Sequence, residues 1–201
     1  MSTSQKINIR FSVVAGLILL AAFSRMIPHM INFSPLGAIG LFGAAYFSKK
    51  WQALLLPVAA IWLSDLFINN VIYAQYNPSF VWLYKGFYWQ YGTYLLITII
   101  GFFIFKKVTL PRILTGVLTS SLSFFLVTNF ACWPGNTLYA QNFGGLISCY
   151  TAGIPYLKGT LLGDLFYSGV LFGTFALLRQ NMPALQLRHS INLEGDLLRN
   201  V

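Results

Sequence analysis

Acidic residues are almost missing from this sequence. Four Asp and Glu stand against thirteen Lys and Arg in 201 residues, and charged residues make up only 8% of the chain. A soluble domain carries about 25% charged residues, and with so few it could not cover its surface. Because lipid is itself apolar, a bilayer removes that need. With 57% hydrophobic residues, the composition predicts one compact integral membrane domain.

Motifs for catalysis and for metal binding are also absent from the sequence. The chain has two Cys and no Cys-x-x-Cys pair, and it has no Gly-x-Ser-x-Gly, His-Glu-x-x-His or phosphate-binding Gly-rich loop. This absence predicts a protein that is not an enzyme and that has no cofactor and no metal site. The net charge of +9 is spread as small clusters between apolar runs. Nucleic-acid binding needs a continuous basic face, so no nucleic-acid partner is expected.

Six apolar runs follow one another along the chain. A helix crosses about 30 Å of hydrocarbon with roughly 20 apolar residues, and a lone helix satisfies its own backbone in lipid. The sequence therefore predicts an all-α bundle of six transmembrane helices within residues 1–180, followed by a cytoplasmic tail over 181–201. The second run reaches only about 21 Å, which leaves a re-entrant hairpin as the alternative to a full span. The six runs cover about 7–23, 34–47, 51–68, 87–105, 113–133 and 156–178.

The distribution of Lys and Arg predicts the orientation of the bundle. With six spans and the N-terminus inside, ten basic residues lie on the cytoplasmic side and three lie outside, which is a strong positive-inside bias. Both termini are thus expected in the cytoplasm of a multi-pass protein of the bacterial inner membrane. The predicted outer loops, over 24–33, 69–86 and 134–155, are longer than the inner ones. They favour a binding lid, or they are simply long linkers.

Asp65 and Asp164 are the only acids in the predicted spans. A charge in mid-membrane costs at least about 2.5–3.5 kcal/mol, so each carboxyl should face the bundle interior or water. Both lie toward the outer half of their spans. They either contact a ligand that enters from outside, or pair structurally with Ser, Thr, Tyr or a basic residue such as Lys158.

Amides and aromatic rings supply the other candidate contacts of a solute. The segment 129–155 combines rings with a few polar groups, which is typical of small-molecule sites and equally of the interfacial belt. Cys132 and Cys149 in this segment are either bridged on the oxidising side or, as we favour, free and buried. The seven predicted substrate contacts are Asn32, Asp65, Asn129, Trp133, Asn136, Tyr139 and Asp164.

Glycines recur along one stripe of the sixth run. Gly159, Gly163, Gly169 and Gly173 lie within about 120° of one another on a helix. Helices in lipid pack through small residues that allow close approach. The stripe favours contacts inside the bundle over docking of another subunit.

Five stretches of the sequence form a recognisable pattern. They read NFSPLGA over 32–38, LFGAAYF over 41–47, SFFLVTNF over 123–130, GLISCYTAGIP over 145–155 and GTLLGDLFY over 159–167. Together they resemble an uncharacterised bacterial family of six-span candidate transport proteins. The match covers most of residues 10–180. The resemblance implies a role in transport without naming a substrate.

The six-span layout also resembles the substrate-binding (S) subunits of energy-coupling-factor vitamin transporters. This fold-level resemblance implies a vitamin-like or metal-type solute, bound in the outer half and beneath outer loops. It also implies docking onto a membrane coupling subunit with ATPases. Such subunits often present an Ala-x-x-x-Ala face on the first span, whereas here Ala15 is followed by Leu19 and Ala22 is preceded by Ile18.

The sequence therefore favours a membrane protein that binds a small solute from the outer face for uptake. The alternative is a structural or assembly membrane protein of the cell envelope, whose glycine stripes bind partners. A filled core between the outer helix halves would favour the alternative, and a polar cavity would favour transport.

Overall fold

The computed structural model describes residues 3–185, and the regular structure of this part of the chain is all helical, with no strand. Five of its six α-helices are long and apolar enough to cross a membrane. An all-helical, multi-pass membrane architecture is thus confirmed. The helices are α1 (Thr3–Phe23), α2 (Leu36–Tyr46), α3 (Lys50–Phe67), α4 (Phe87–Ile104), α5 (Leu110–Cys132) and α6 (Phe143–Asn181).

The short helix α2 lies at the centre of the bundle. It contacts the other five helices, and nine of its eleven residues are buried. At about 16 Å it cannot cross the hydrocarbon by itself. Its glycines allow the close approach, because a Cβ at Gly40 would lie 2.9 Å from the Thr98 hydroxyl and one at Gly43 would lie 3.0 Å from Pro57. The second apolar run is therefore a buried helix enclosed by its neighbours.

Helix α6 begins earlier than the sequence predicted. Its 39 residues start at Phe143, so the prediction of an outer loop over residues 143–155 is wrong. The Asn142 side chain accepts a hydrogen bond from the Gly145 N–H (2.9 Å) and caps the first turn. Pro155 lies inside the helix without ending it, as proline can in membrane helices whose neighbours satisfy the freed backbone.

The half of the bundle near the ends of α2 and α6 has an aromatic core. Phe42 and Tyr46 of α2 pack against Phe172 and Phe175 of α6, with ring centroids 4.1–5.8 Å apart. After α6 a short turn, Pro183–Leu185, buries Leu185 against α1. Most of the predicted cytoplasmic tail, from residue 186 on, lies outside the described residues. This includes Arg188 and Arg199, two of the ten basic residues in the orientation argument.

Candidate functional site

A polar cavity opens in the half of the bundle where α2 begins. Its volume is about 270 Å³, close to the lower end of the range for small-molecule sites. Its wall is formed by the turn after α1, the loop 27–35, the segment after α3 and the helices α2, α4, α5 and α6. The polar residues of that wall are Arg25, His29, Asn32, Ser34, Tyr73, Gln90, Tyr94, Ser120, Thr160 and Asp164.

The carboxyl of Asp164 lies at one side of this cavity, against the start of α2. The residue is 2% exposed. Its carboxyl accepts hydrogen bonds from the Ser121 hydroxyl (2.9 Å) and from the Ala38 N–H. The N-terminus of a helix favours negative charge, and α2 has no side-chain cap of its own. Asp164 thus caps α2 from a neighbouring helix.

Gly37 makes this arrangement possible. A Cβ at this position would overlap the Asp164 carboxyl and the Ser120 hydroxyl. Only a residue without a side chain lets the carboxyl reach the backbone of α2. The glycine therefore places the acid and the hydroxyl side by side.

The Ser120 hydroxyl is only weakly paired in the site. Ser120 is 1% exposed, and its hydroxyl contacts the Asp164 carboxyl without the geometry of a full hydrogen bond. Buried polar groups in proteins are nearly always well paired. A hydroxyl that is buried, weakly paired and part of a cavity wall can form a hydrogen bond with a bound molecule.

A buried ion pair forms a second part of the site. The Arg25 guanidinium lies 2.7 Å from the Asp65 carboxylate and donates to the Ser64 hydroxyl, also at 2.7 Å. The Tyr91 hydroxyl donates to the other carboxylate oxygen of Asp65 (2.7 Å). Asp65 is thereby satisfied within the protein, and Arg25 is the member of the pair that lines the cavity.

Helix α4 supplies an amide and an aromatic wall. The Gln90 carbonyl oxygen accepts from the Tyr84 hydroxyl (2.8 Å) and the Tyr94 hydroxyl (3.3 Å), which leaves the Gln90 amide N–H as a donor. Burial raises the pKa of Tyr84, so its hydroxyl stays protonated and donates. The Tyr94 ring stacks on Phe124 of α5, with centroids 6.1 Å apart.

The loop 27–35 closes the cavity by lying directly on α6. Asn32 adopts a left-handed conformation (φ 60°), which asparagine tolerates better than most residues. A Cβ at Gly159 would clash with the Ile31 carbonyl, and one at Gly163 would lie 2.6 Å from the Ser34 nitrogen. The first two glycines of the α6 stripe therefore make contacts inside the bundle, as the sequence predicted.

The structure brings some of the seven predicted contacts together and separates the others. Asn32 and Asp164 line the cavity, and Asp65 lies behind Arg25. The other four residues do not line the cavity. They lie in the α5–α6 hairpin, by which we mean residues 129–150, from the last turn of α5 through the connecting loop to the first turns of α6. These four are Asn129, Trp133, Asn136 and Tyr139.

Each of those four residues makes a local bond in the α5–α6 hairpin. The Asn129 amide donates to the Phe125 carbonyl (2.8 Å), and Trp133 Nε1 donates to the Ala140 carbonyl (2.9 Å). The Asn136 side chain accepts from the Leu138 N–H (2.9 Å), and the Tyr139 carbonyl accepts from the Gln141 amide (3.0 Å). These bonds shape the turn.

The two cysteines of this hairpin are free. The Cys149 thiol is buried and donates to the Asn129 carbonyl (3.4 Å), whereas Cys132 is exposed. The structure thus has the free thiols that we favoured over a disulfide, but only one of them is buried.

Sequence reasoning missed several residues of the cavity wall. Ser120 and Gln90 are polar residues inside apolar runs. This contrast with their neighbours is the signal by which the sequence could have identified them. Arg25 is one of the three basic residues that the sequence places outside, and it directly follows an apolar run. Gly37 lies in a run with several other glycines, and its position in the sequence does not distinguish it from them. Its role depends on Asp164, which lies 127 positions further along the chain.

No curated protein and no solved structure matches the chain. A family model matches residues 5–185, which covers nearly all of the helical bundle. The chain therefore belongs to DUF6580, a family of unknown function.

Proposed function

We propose that this protein binds a small polar solute in the cavity between α2, α4, α5 and α6, and serves its uptake across a bacterial inner membrane. It acts as a binding subunit of the S-component type, without catalysis. The observation that carries the proposal is the pair of buried groups, the weakly paired Ser120 hydroxyl and the Asp164 carboxyl, in the wall of a polar cavity. A purely structural bundle has no need to keep such groups at a cavity.

The charge distribution supports a cavity in the outer half. Basic residues gather at the end of the bundle opposite the cavity, which by the positive-inside rule is the cytoplasmic end. In this orientation six helical segments, with α2 as a short central one, leave both termini in the cytoplasm. The described basic residues of this end are Lys6, Arg10, Lys49, Lys50, Lys106, Lys107, Arg112 and Arg179.

The chemistry of the wall supports binding rather than catalysis. Ser120 and Ser121 lie at the Asp164 carboxyl, but a serine nucleophile needs an adjacent base oriented by a third group. His29 is at the rim, where its Nδ1 lies 2.9 Å from the Met30 carbonyl. Donors on several helices around a small cavity suit recognition of a polar solute.

The energising partner implied by the S-subunit resemblance is a coupling subunit with ATPases. The exposed face of α1 carries Phe11, Leu20 and Phe23, while Ala21 and Ala22 are buried. A coupling subunit would meet large apolar side chains here instead of a small-residue face. We therefore propose no docking surface for the coupling subunit on α1.

Native mass spectrometry of protein extracted gently from its host membrane tests the proposal. We expect a reproducible small-molecule adduct that is lost in Asp164→Asn and Ser120→Ala. Asn129→Ala is the matched control, because it removes a polar side chain from the hairpin and should keep the adduct.

Other outcomes would overturn the proposal. An adduct equally retained in all three variants would place the solute elsewhere. A protein without adduct that carries a second polypeptide would favour a structural or assembly role. Thermal unfolding of each variant checks that loss of the adduct does not reflect loss of the fold.

A further inference from the structure

The two acids of the membrane-spanning helices have different partners. Asp65 forms an ion pair with Arg25, at 2.7 Å. Asp164 accepts hydrogen bonds from serine hydroxyls and a backbone N–H, but no Lys, Arg or His of residues 3–185 forms an ion pair with it. Buried charges in proteins are paired with an opposite charge or bound to a metal. The described part of the chain thus supplies a counter-charge to Asp65 and none to Asp164.

The charges around the polar cavity leave an excess of negative charge. Arg25 lines the cavity, but Asp65 behind it balances its positive charge. The start of α2 contributes about half a positive charge, against the full negative charge of the Asp164 carboxylate. A helix N-terminus commonly binds an anion, and here the protein's own carboxyl occupies that place. His29 at the rim adds no charge in its neutral form, so the charge balance favours a cation over an anion.

The side chains around Asp164 suit the N–H groups of an organic cation better than a metal ion. In the described part of the chain, no group of three His, Cys, Asp or Glu side chains could hold a metal. Hydroxyl groups lie around the carboxyl instead, and Ser120 contacts it. Thr160 precedes Asp164 by one turn of α6 and also lines the cavity. Its hydroxyl donates to the Tyr156 carbonyl (3.3 Å), so its oxygen keeps lone pairs that accept hydrogen bonds.

Aromatic rings form a further part of the cavity wall, those of Tyr73, Tyr94 and Phe124. The face of an aromatic ring attracts a cation within about 6 Å of its centre, and rings also cover the apolar part of a ligand. The cavity volume of about 270 Å³ equals the liquid volume of about nine water molecules. The cavity therefore has room for an organic cation with a similar number of non-hydrogen atoms, and it is far larger than a single metal ion.

We propose that the solute of this cavity is a small organic cation. Its ammonium or amidinium N–H groups donate to the Asp164 carboxylate and the Ser120 hydroxyl, and its apolar part lies against Tyr94 and Phe124. This inference rests on the proposed binding of a solute in the cavity, and it adds the charge and the chemical class of that solute.

Three probes of similar shape and different charge test the inference on the full chain in an uncharged detergent. At neutral pH benzylammonium is a cation, benzyl alcohol is neutral and benzoate is an anion. Isothermal titration calorimetry measures the Kd of each probe. We expect benzylammonium to bind most tightly and benzoate to bind most weakly.

Two substitutions in the cavity wall should change the binding of the cation. Asp164→Asn keeps the shape of the side chain and removes its charge, so it should weaken benzylammonium binding roughly tenfold to a hundredfold while benzyl alcohol binding changes little. Phe124→Leu keeps the carboxyl and removes a ring, and it should weaken benzylammonium binding roughly twofold to fivefold. It serves as the second test if Asp164→Asn does not fold. Asn129→Ala is the control outside the cavity and should leave all three Kd values unchanged.

The outcomes separate failure of this inference from failure of solute binding. Equal binding of the three probes, tighter binding of benzoate, or a preference for benzylammonium that neither cavity variant reduces would overturn the inference. The adduct from the host membrane gives an independent result through its exact mass and fragmentation. An adduct that is lost in Asp164→Asn and carries no cationic group would overturn the inference and leave solute binding in place. Absence of any adduct together with no binding of any probe would overturn both.

Discussion

Two regions of the bundle carry the same kinds of residue and use them differently. The α5–α6 hairpin has Asn129, Trp133 and Asn136, and each side chain bonds a backbone group no more than seven residues away in the sequence. The polar cavity has Asp164 and Ser120, whose surroundings come from distant parts of the chain. Residue type alone therefore does not identify a binding site. A better indicator is a buried polar group whose hydrogen bonds are not made by residues nearby in the sequence.

The largest expected effect comes from breaking the ion pair behind the cavity. Arg25→Met leaves the Asp65 carboxylate buried without its cation, which typically costs about 3–5 kcal/mol of stability. Thermal unfolding in detergent should show a large decrease in Tm. Arg25→Met/Asp65→Asn removes both charges and should recover much of the loss. If the double variant were no more stable than the single one, the pair would not be the cause.

The two serines of α5 should separate stability from binding. Ser121→Ala removes a hydrogen bond of good geometry to Asp164 and should cost about 0.5–1.5 kcal/mol. Ser120→Ala removes a weakly paired hydroxyl and should lower Tm less than Ser121→Ala does, while the solute adduct is lost. Thermal unfolding and native mass spectra of both variants test this difference. Equal losses of Tm would contradict the assignment of Ser120 as the weakly paired group.

The glycine stripe of α6 allows a test with one substitution at two positions. Gly163→Ala forces a methyl group against the Ser34 backbone and should destabilise by about 1–3 kcal/mol, as overpacking does. A Cβ at Gly173 meets nothing within 4 Å, so Gly173→Ala should be neutral or slightly stabilising, because alanine is the better helix former. If the two alanine variants had the same Tm, the inferred difference between the two glycine positions would be wrong.

The smallest effect is expected in the hairpin. Trp133→Phe keeps most of the ring and loses the bond from Nε1 to the Ala140 carbonyl, which contributes about 0.5–1.5 kcal/mol. A small decrease in Tm with full retention of the solute adduct is the expected result. Loss of the adduct in this variant would place the hairpin in the site after all.

Much of the architecture could be predicted from the sequence because hydropathy alone locates most of the helices. The apolar runs locate α1, α3, α4 and α5 closely, and the cost of a charge in lipid singled out Asp164. The start of α6 was missed because Pro155 and nearby polar residues resemble a loop, and the Asn142 cap is a weak signal. The pairing of Arg25 with Asp65 was not predictable, because it joins residues 40 positions apart through tertiary packing.

The lengths of the helices also determine how the protein fits its bilayer. Helix α6 is about 58 Å long and rises about 45 Å even at a tilt of about 40°, so it exceeds any hydrocarbon layer of about 30 Å. Helix α2 is far too short, but its neighbours shield it from lipid. The remaining helices therefore determine the match to the hydrocarbon thickness. The shortest of their spans is α4, with 18 residues or about 27 Å, because α3, also of 18 residues, continues in a helical turn to Ile72. Membrane thickness beside this protein should follow α4, while α6 has length in reserve.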